Sequence, residues 1–280
     1  MLSRIDRVLI TTHDAAATAK RWIELLDAQF VRHDDTAALG ARRTVIGVGD
    51  SEVEFLQPTG TGPVARHLAT GGGPFAAGVA TQNIHRLRGE LAKVGIVPTH
   101  YDNQFFVDGG RLGIPGLNLV ISIDAPRPRV GLMSNLYEVT HLTADPAASA
   151  ARFALLFGLN PKNFVPIRSD NFGYEGTLTL FDAKALHRIE TIHPFDRTKT
   201  MGRYFERFGP SLYMCYAETD RLPELRERLK KLAPGEWTGS DTDPNGLFVH
   251  PRALGGVMLG VSRTSHAWTW SGQPQRVVPA

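Results

Sequence analysis

Ile5-Asp6-Arg7-Val8-Leu9-Ile10, followed by Asp14 and an alanine-rich stretch, returns later in the chain in a second form. There it reads Tyr137-Glu138-Val139-Thr140-His141-Leu142, followed by Asp145-Pro146 and another alanine-rich stretch. Arg7 and Glu138 are 131 residues apart, and so are Asp14 and Asp145. A further landmark is also doubled. Val53-Glu54-Phe55-Leu56-Gln57-Pro58 matches Ile189-Glu190-Thr191-Ile192-His193-Pro194, and in each a glutamate stands four residues before a proline. A repeat of this length is a duplicated module, not a solenoid of short units. Two modules of ordinary size account for a chain of 280 residues.

Each module divides again into a strand, a helix and further strands. A strand over about 5–12 precedes a helix over about 15–27, with Asp14 as its cap. Strands follow near 42–48 and 51–57. The bend Gly71-Gly72-Gly73-Pro74 opens a second unit with a strand at 76–81. Ile84, Leu87 and Leu91 then share a helix face, and Gly95 ends that helix. Strands near 104–108 and 117–123 complete the first module, expected over residues 1–125. Asp124 to Arg129 reads as a linker. The second module, expected over 132–265, repeats the plan. Asp145 caps its helix, and Pro146 takes the first helical position, where a missing N–H costs little. Its last strand runs from Gly256 to Ser262, and a short tail with Trp268 and Trp270 follows.

Hydrophobic residues make up 42% and charged residues 21% of the chain, so each half has the material for a core. The net charge of +3 is spread along the sequence. Its densest run, Arg226 to Lys231, shares a helix with the stripe Leu222, Leu225, Leu229 and Leu232. It reads as a solvated face, not a nucleic-acid surface. Cys215 is the only cysteine, which rules out an intrachain disulfide and is compatible with a reducing compartment. No apolar run has the length of a signal peptide or a membrane span, so a cytoplasmic protein without membrane partners is expected. Gly71-Gly72-Gly73 lacks the residues of a phosphate loop, and no serine-hydrolase elbow occurs.

The opening Ile5-Asp6-Arg7-Val8, the stretch Val53–Pro58, the run Pro63-Val64-Ala65-Arg66-His67-Leu68 and the stretch His250-Pro251-Arg252-Ala253-Leu254-Gly255-Gly256-Val257-Met258-Leu259 together resemble the vicinal oxygen chelate superfamily. That superfamily includes glyoxalase I, methylmalonyl-CoA epimerase, bleomycin-resistance proteins and extradiol dioxygenases. The resemblance spans residues 4 to 262. It implies an α+β fold of tandem βαβββ units forming two cup-shaped mixed-sheet modules. Alternation agrees: Val257, Leu259 and Val261 suit a face packed on helices, whereas Met258, Gly260 and Ser262 suit a cleft. One face of each curved sheet is expected to be core and the other partly wet.

Metal-dependent members of the superfamily hold one divalent ion through four strand positions. In the second module these positions match Glu138, Glu190, Met214 and Gly260. In the first they match Arg7, Glu54, Ala76 and either Val120 or Ser122. Few donors of the usual kind remain, so neither a metal nor another cofactor is expected. Arg7 is expected to pair with Glu54. Glu138 and Glu190 are expected to face each other as two carboxyls sharing a site, which raises one pKa and supplies a general acid or base near neutrality. Glu190 and Glu138 are therefore the candidate catalytic pair. Arg7, Glu54, Met214, Tyr216 and Gly260 are the candidate ligand-binding residues. Ala76, Gly78, Ala80 and Gly260 are expected to leave room for an organic ligand. His141, three residues from Glu138, points to the opposite face and reads as a packed histidine. His193 and His250 read as loop positions and Cys215 as strand core.

Two functions follow. One is an atypical glyoxalase-like lyase or isomerase that removes a proton beside a carbonyl, with Glu190 as base. The other is a metal-free small-molecule binding or resistance protein. Either takes a small organic ligand, and a homodimer is the assembly considered.

Overall fold

The computed structural model describes residues 1–101, 103–241 and 244–276. The strand–helix–three-strand unit occurs four times. The first unit is β1 (Leu2–Thr11), α1 (Ala15–Leu26), β2 (Gln29–Thr36), β3 (Ala41–Val48) and β4 (Ser51–Pro58). After α2 (Pro63–Ala69) comes β5 (Gly73–Thr81), α3 (Ile84–Lys93), β6 (Thr99–Tyr101), β7 (Gln104–Val107), the single turn α4 (Gly109–Leu112) and β8 (Leu119–Ile123). The third unit is β9 (Asn135–Leu142), α5 (Pro146–Phe157), β10 (Val165–Ser169), β11 (Tyr174–Leu180) and β12 (Arg188–Pro194). After α6 (Thr200–Phe208) the fourth is β13 (Ser211–Glu218), α7 (Leu222–Leu232), β14 (Trp237–Thr238), β15 (Gly246–Val249) and β16 (Met258–Ser262). The tail that carries Trp268 and Trp270 is a helix, α8 (Thr264–Trp270).

These strands make two eight-stranded sheets, β2-β3-β4-β1-β5-β8-β7-β6 and β10-β11-β12-β9-β13-β16-β15-β14. The second order is the first with every label advanced by eight. Both sheets are mixed: β1 runs parallel to β4 and β9 to β12, whereas β3–β4 and β11–β12 are antiparallel. Packing contacts cut across this sequence order. One compact unit contains Met1–Ile5, Ala76–Asp124 and Glu138–Tyr213, and the other contains Asp6–Phe75, Ala125–Tyr137 and the chain from Met214 onward.

Local chemistry explains why the helices recur at the same offset. The Asp14 carboxylate accepts from Ala17 N at 2.9 Å, and the Asp145 carboxylate accepts from Ala148 N at the same distance. Each satisfies a backbone donor that the first helical turn leaves without a partner. The far ends also correspond. Asp27 (φ 57°) ends α1 and Gly158 (φ 60°) ends α5, both in the left-handed region. Glycine adopts that conformation without strain and aspartate does not. α1 buries Ala15, Ala19, Trp22, Leu25 and Leu26. Trp22 satisfies its indole N–H on the Leu254 carbonyl at 3.1 Å and packs edge-on to Phe55.

The structure corrects two expectations. The second face of the central strands is not wet: Arg7, Leu9 and Thr11 on β1 are as buried as Val8 and Ile10, and all of β5 is buried. Arg7 is held there by ion pairs, described below, and Thr11 by a hydrogen bond to His67. On α7, Leu222, Leu225 and Leu229 are buried as expected, but Arg226 joins them and Leu232 is exposed. Among the described residues, no helix is long and apolar enough to cross a membrane.

Asp27 is the position where a backbone rule is broken, so Asp27→Gly relieves left-handed strain and brings α1 to the cap that α5 already has. The ion pair it removes, Arg228 to Asp27 at 3.4 Å, is half-exposed and contributes little. A gain of about 0.5–1 kcal/mol in chemical denaturation is expected.

Candidate active site

Parallel register sets the polar clusters of both modules. Between β1 and β4, Arg7 lies opposite Glu52 and Leu9 opposite Glu54. Between β12 and β9, Arg188 lies opposite Glu138 and Glu190 opposite Thr140. The same lattice position thus holds an arginine–glutamate pair in both copies, but the charges have exchanged strands.

In the first module each carboxylate of the central cluster finds a guanidinium. Arg7 Nη1 lies 2.5 Å from Glu54 Oε1 and 2.9 Å from Glu52 Oε2, while its Nη2 lies 2.9 Å from Asp6. Arg43 donates to the second Glu54 oxygen at 3.3 Å and grips Asp34 at 2.7 Å. Arg32 reaches Glu52 at 3.5 Å, and Arg127, from the linker, reaches Asp6 at 2.9 Å. Four arginines thus face the four acids Asp6, Asp34, Glu52 and Glu54. Burial would raise the Asp6 carboxyl, but Arg7 and then Arg127 outweigh it and hold the group down at about 2. The expected Arg7–Glu54 pair is present within this larger network.

The second module is different. Arg188 is fully buried and its Nε donates to Glu138 Oε2 at 2.5 Å. Glu138 and Glu190 share a hydrogen bond, and a cation lies against Glu138. Arg188 is the site residue that the sequence reading missed. A signal was available: Arg188 precedes Glu190 by two, as Glu52 precedes Glu54, and a two-residue step keeps side chains on one strand face.

Glu190 has no ion pair of its own among the described residues. Thr140 Oγ1 donates to its Oε2 at 2.5 Å, and it shares a hydrogen bond with Glu138. Burial first, then the charge of Glu138, push the Glu190 carboxyl up to about 8; Thr140 and Arg188 pull in the other direction. Burial also raises Glu138, against the pull of Arg188 and of the bond from Glu190. The ion pair with Arg188 favours the negative charge of the two on Glu138. The Tyr174 phenol is raised by burial and by both glutamates and stays neutral. Leu142 and Ile192, each two residues further along its strand, pack under Met201 and Phe205 of α6. This apolar cover maintains the low dielectric around the pair.

The other candidates fall elsewhere. Met214 and Met258 are register partners, as are Tyr216 and Gly260. The space at Gly260 is not open, because a Cβ there would lie 2.2 Å from the Tyr216 ring. Tyr216 in turn packs against Tyr137, Phe248 and Trp270 at centroid distances of 5.9, 6.0 and 5.4 Å. The glycine admits an aromatic cluster of the chain itself, which corrects the reading of Gly260 as room for a ligand. His141 is fully buried, donates from Nε2 to the Pro115 carbonyl at 2.9 Å, and is lowered to about 4 by burial. It is a packed neutral histidine, as expected. His193 bonds to the Thr143 carbonyl, and His250 to Thr238. Cys215 is a buried thiol. Two surface depressions of about 290 and 310 Å³ are lined by neither Glu138 nor Glu190.

The donors do not fit a divalent ion. A guanidinium already lies against Glu138, and Met214 and Gly260 offer neither oxygen nor nitrogen side-chain donors. Among the described residues no group of three or more His, Cys, Asp or Glu side chains could hold a metal ion. No step is assigned to a metal.

No protein-family model matches the chain, and no curated protein matches it. Among solved structures it is similar to a variant of 4-hydroxymandelate synthase from Streptomyces coelicolor, with a TM-score of 0.68 and 12% identity over 98% of this chain and 99% of that one. Methylmalonyl-CoA epimerases align over less of the chain. The Streptomyces coelicolor enzyme is 20% identical over 44% of this chain and 100% of its own, at a TM-score of 0.39. The Mycobacterium tuberculosis enzyme is 18% identical over 47% of this chain and 89% of its own, at 0.40. The full-length likeness is one of fold, and the partial ones carry no argument. The chain shares its fold, four βαβββ units in tandem, with 4-hydroxymandelate synthase, in agreement with the fold that the sequence resemblance implied.

Two outcomes follow from the site. A carboxyl whose pKa is higher folded than unfolded favours the native state least once pH exceeds the folded value. Glu190→Gln is therefore expected to be near neutral for stability at pH 5 and stabilising at pH 9, by an amount on the order of 1–3 kcal/mol, read by denaturant melts across that range. Gly260→Ala is expected to displace Tyr216 from Trp270 and Phe248, changing the near-UV circular dichroism and costing about 1–2 kcal/mol.

Proposed function

We propose that the protein is an atypical glyoxalase-like lyase or isomerase for a small carbonyl-containing organic molecule, with Glu190 as its general acid–base. The observation that carries this reading is the carboxyl of Glu190, bonded to Thr140, set against the Arg188–Glu138 ion pair and holding its proton into the neutral range. A group that titrates near the working pH both accepts and returns a proton efficiently. At pH 7 only a minor fraction of Glu190 is ionised. That fraction takes the proton from the carbon beside the carbonyl and leaves an enolate. With a 2-hydroxy ketone the enolate is an enediolate, and the protonated carboxyl gives its proton to the neighbouring carbon, which isomerises the substrate. In the lyase case the enolate instead expels a group from the next carbon. The two modules, 1–125 and 132–265, divide the labour: the charge-balanced first supports the fold and the second carries the chemistry. The substrate is a small molecule and not a nucleic acid.

A second reading, binding without turnover, is favoured by the 6% exposure of Glu190 and by the filled space at Gly260. Deuterium exchange separates the two. A panel of 2-oxo acids, 2-hydroxy ketones and acyl thioesters is incubated with the protein in heavy water and followed by proton NMR. Exchange beside the carbonyl of at least one compound is expected. Glu190→Gln should reduce it about 100-fold or more, and Glu54→Gln should leave it in place. Binding of a panel compound with no exchange would support the second reading. Exchange lost in Glu54→Gln but kept in Glu190→Gln would move the site to the first module.

A further inference from the structure

Four residues on two adjacent parallel strands form a small square in the second module: Glu138 and Thr140 on β9, Arg188 and Glu190 on β12. In the first module the corresponding square is Arg7 and Leu9 on β1, Glu52 and Glu54 on β4. There the arginine stands on the strand facing both glutamates and touches both, at 2.9 and 2.5 Å. In the second square the arginine shares a strand with one glutamate and points across to the other, at 2.5 Å. Thr140, where the first module has Leu9, takes one oxygen of the remaining glutamate. The square then holds one guanidinium and two carboxyls, all buried, and is electrically balanced only with one proton on board. Leaving a buried charge uncompensated costs several kcal/mol, so that proton is retained.

We propose that Arg188 is a positioning residue for the acid–base chemistry assigned to Glu190: it pins the negative charge of the pair on Glu138 and so leaves the exchangeable proton on Glu190. This rests on the proposed function for its purpose but not for its geometry. Of the groups facing Glu190, the charge of Glu138 favours a proton there, whereas Thr140 and Arg188 pull the other way and are outweighed by burial. β9 contributes Glu138 and Thr140, β12 contributes Arg188, and β11 contributes Tyr174, a neutral phenol. α6 covers the same face with the apolar side chains of Met201 and Phe205. Among the described residues Arg188 is thus the cation in an ion pair with these two carboxyls, and that pair is with Glu138.

The test transposes the second square into the form of the first. The double variant Glu138→Arg with Arg188→Glu keeps the charge sum and places the arginine on the strand facing both glutamates, which protects folding. The readout is the carboxylic-acid carbonyl band in infrared spectra, with glutamate isotope labelling, followed from pH 5 to 10. In the wild-type protein one buried glutamic acid is expected to titrate on the alkaline side of neutrality. In the transposed variant Glu190 gains a guanidinium, and that midpoint should fall by about two pH units or more. The single variant Glu138→Gln, which removes the like charge and frees Arg188 to pair with Glu190, should lower it as well. Arg188→Lys should retain the wild-type midpoint to within about one unit.

A role confined to packing would change melting temperature and leave the midpoint in place, and that result overturns the proposal. So does a midpoint that rises in Glu138→Gln, or the absence of any buried acid titrating in the wild type. Should the transposed variant fail to fold, Glu138→Gln alone decides the matter in the same way. The spectroscopic midpoint needs no substrate. If it behaves as expected while no compound undergoes exchange, Arg188 orders the proton as proposed and the assigned enzymatic function is wrong. If exchange occurs and disappears in Glu190→Gln while the midpoint ignores both Arg188 and Glu138, the function stands and the role of Arg188 does not.

Discussion

The chemical difference between the two modules follows from one ion pair that changed strands. A buried arginine and a buried glutamate sit opposite each other across parallel strands in both. With the arginine on the first strand of the unit, as Arg7, it meets Glu52 and Glu54 together, and further arginines complete the balance. With the arginine on the fourth strand, as Arg188, its ion pair among the described residues is with Glu138. Glu190 is then buried beside an anion and is left to keep a proton. Parallel pairing makes this switch discrete, because a side chain faces a defined partner in the neighbouring strand and moves to the other face if the register slips by one residue.

Buried ion pairs do not by themselves stabilise a fold strongly, since removing two charges from water costs about as much as their attraction returns. Their effect is on specificity. The network of Asp6, Arg7, Glu52, Glu54 and Arg43 can form in only one register of β1, β3 and β4, because a slip would bury those charges apart. Arg127 extends the same network into the linker. Around it the ordinary apolar core, with Trp22 and Phe55 among its largest members, supplies the driving force. The first module thus uses its polar interior to define a structure. The second uses a smaller one, with fewer cations, to hold a titratable group.

The aromatic cluster shows a related principle. Gly260 looked like free volume because glycine has no side chain, but its neighbour across the strand fills the space with the Tyr216 ring. Interiors are close-packed, so a small residue on one strand usually implies a large one opposite. Whether that volume serves a ligand or a neighbouring ring depends on residues far away in sequence, here Tyr137, Phe248 and Trp270.

What the sequence determined by itself was periodic and local. The 131-residue offset, the capping aspartates Asp14 and Asp145 and the alternation along the strands were enough for duplicated modules of strands and helices, because caps and strand faces depend on residues a few positions apart, and the resemblance to a known superfamily implied the βαβββ order. His141 could be assigned to the packed face by the same counting. The importance of Glu54 and Glu190 was legible from their doubled context before a proline. What tertiary structure alone decided was which cation meets which carboxylate. Arg188 lies 50 residues from Glu138 and Arg43 lies 11 from Glu54, distances over which only the pairing of strands fixes the partner. The proton on Glu190 is a consequence of that pairing together with burial, and burial is a property of the packed chain that no short stretch of sequence contains.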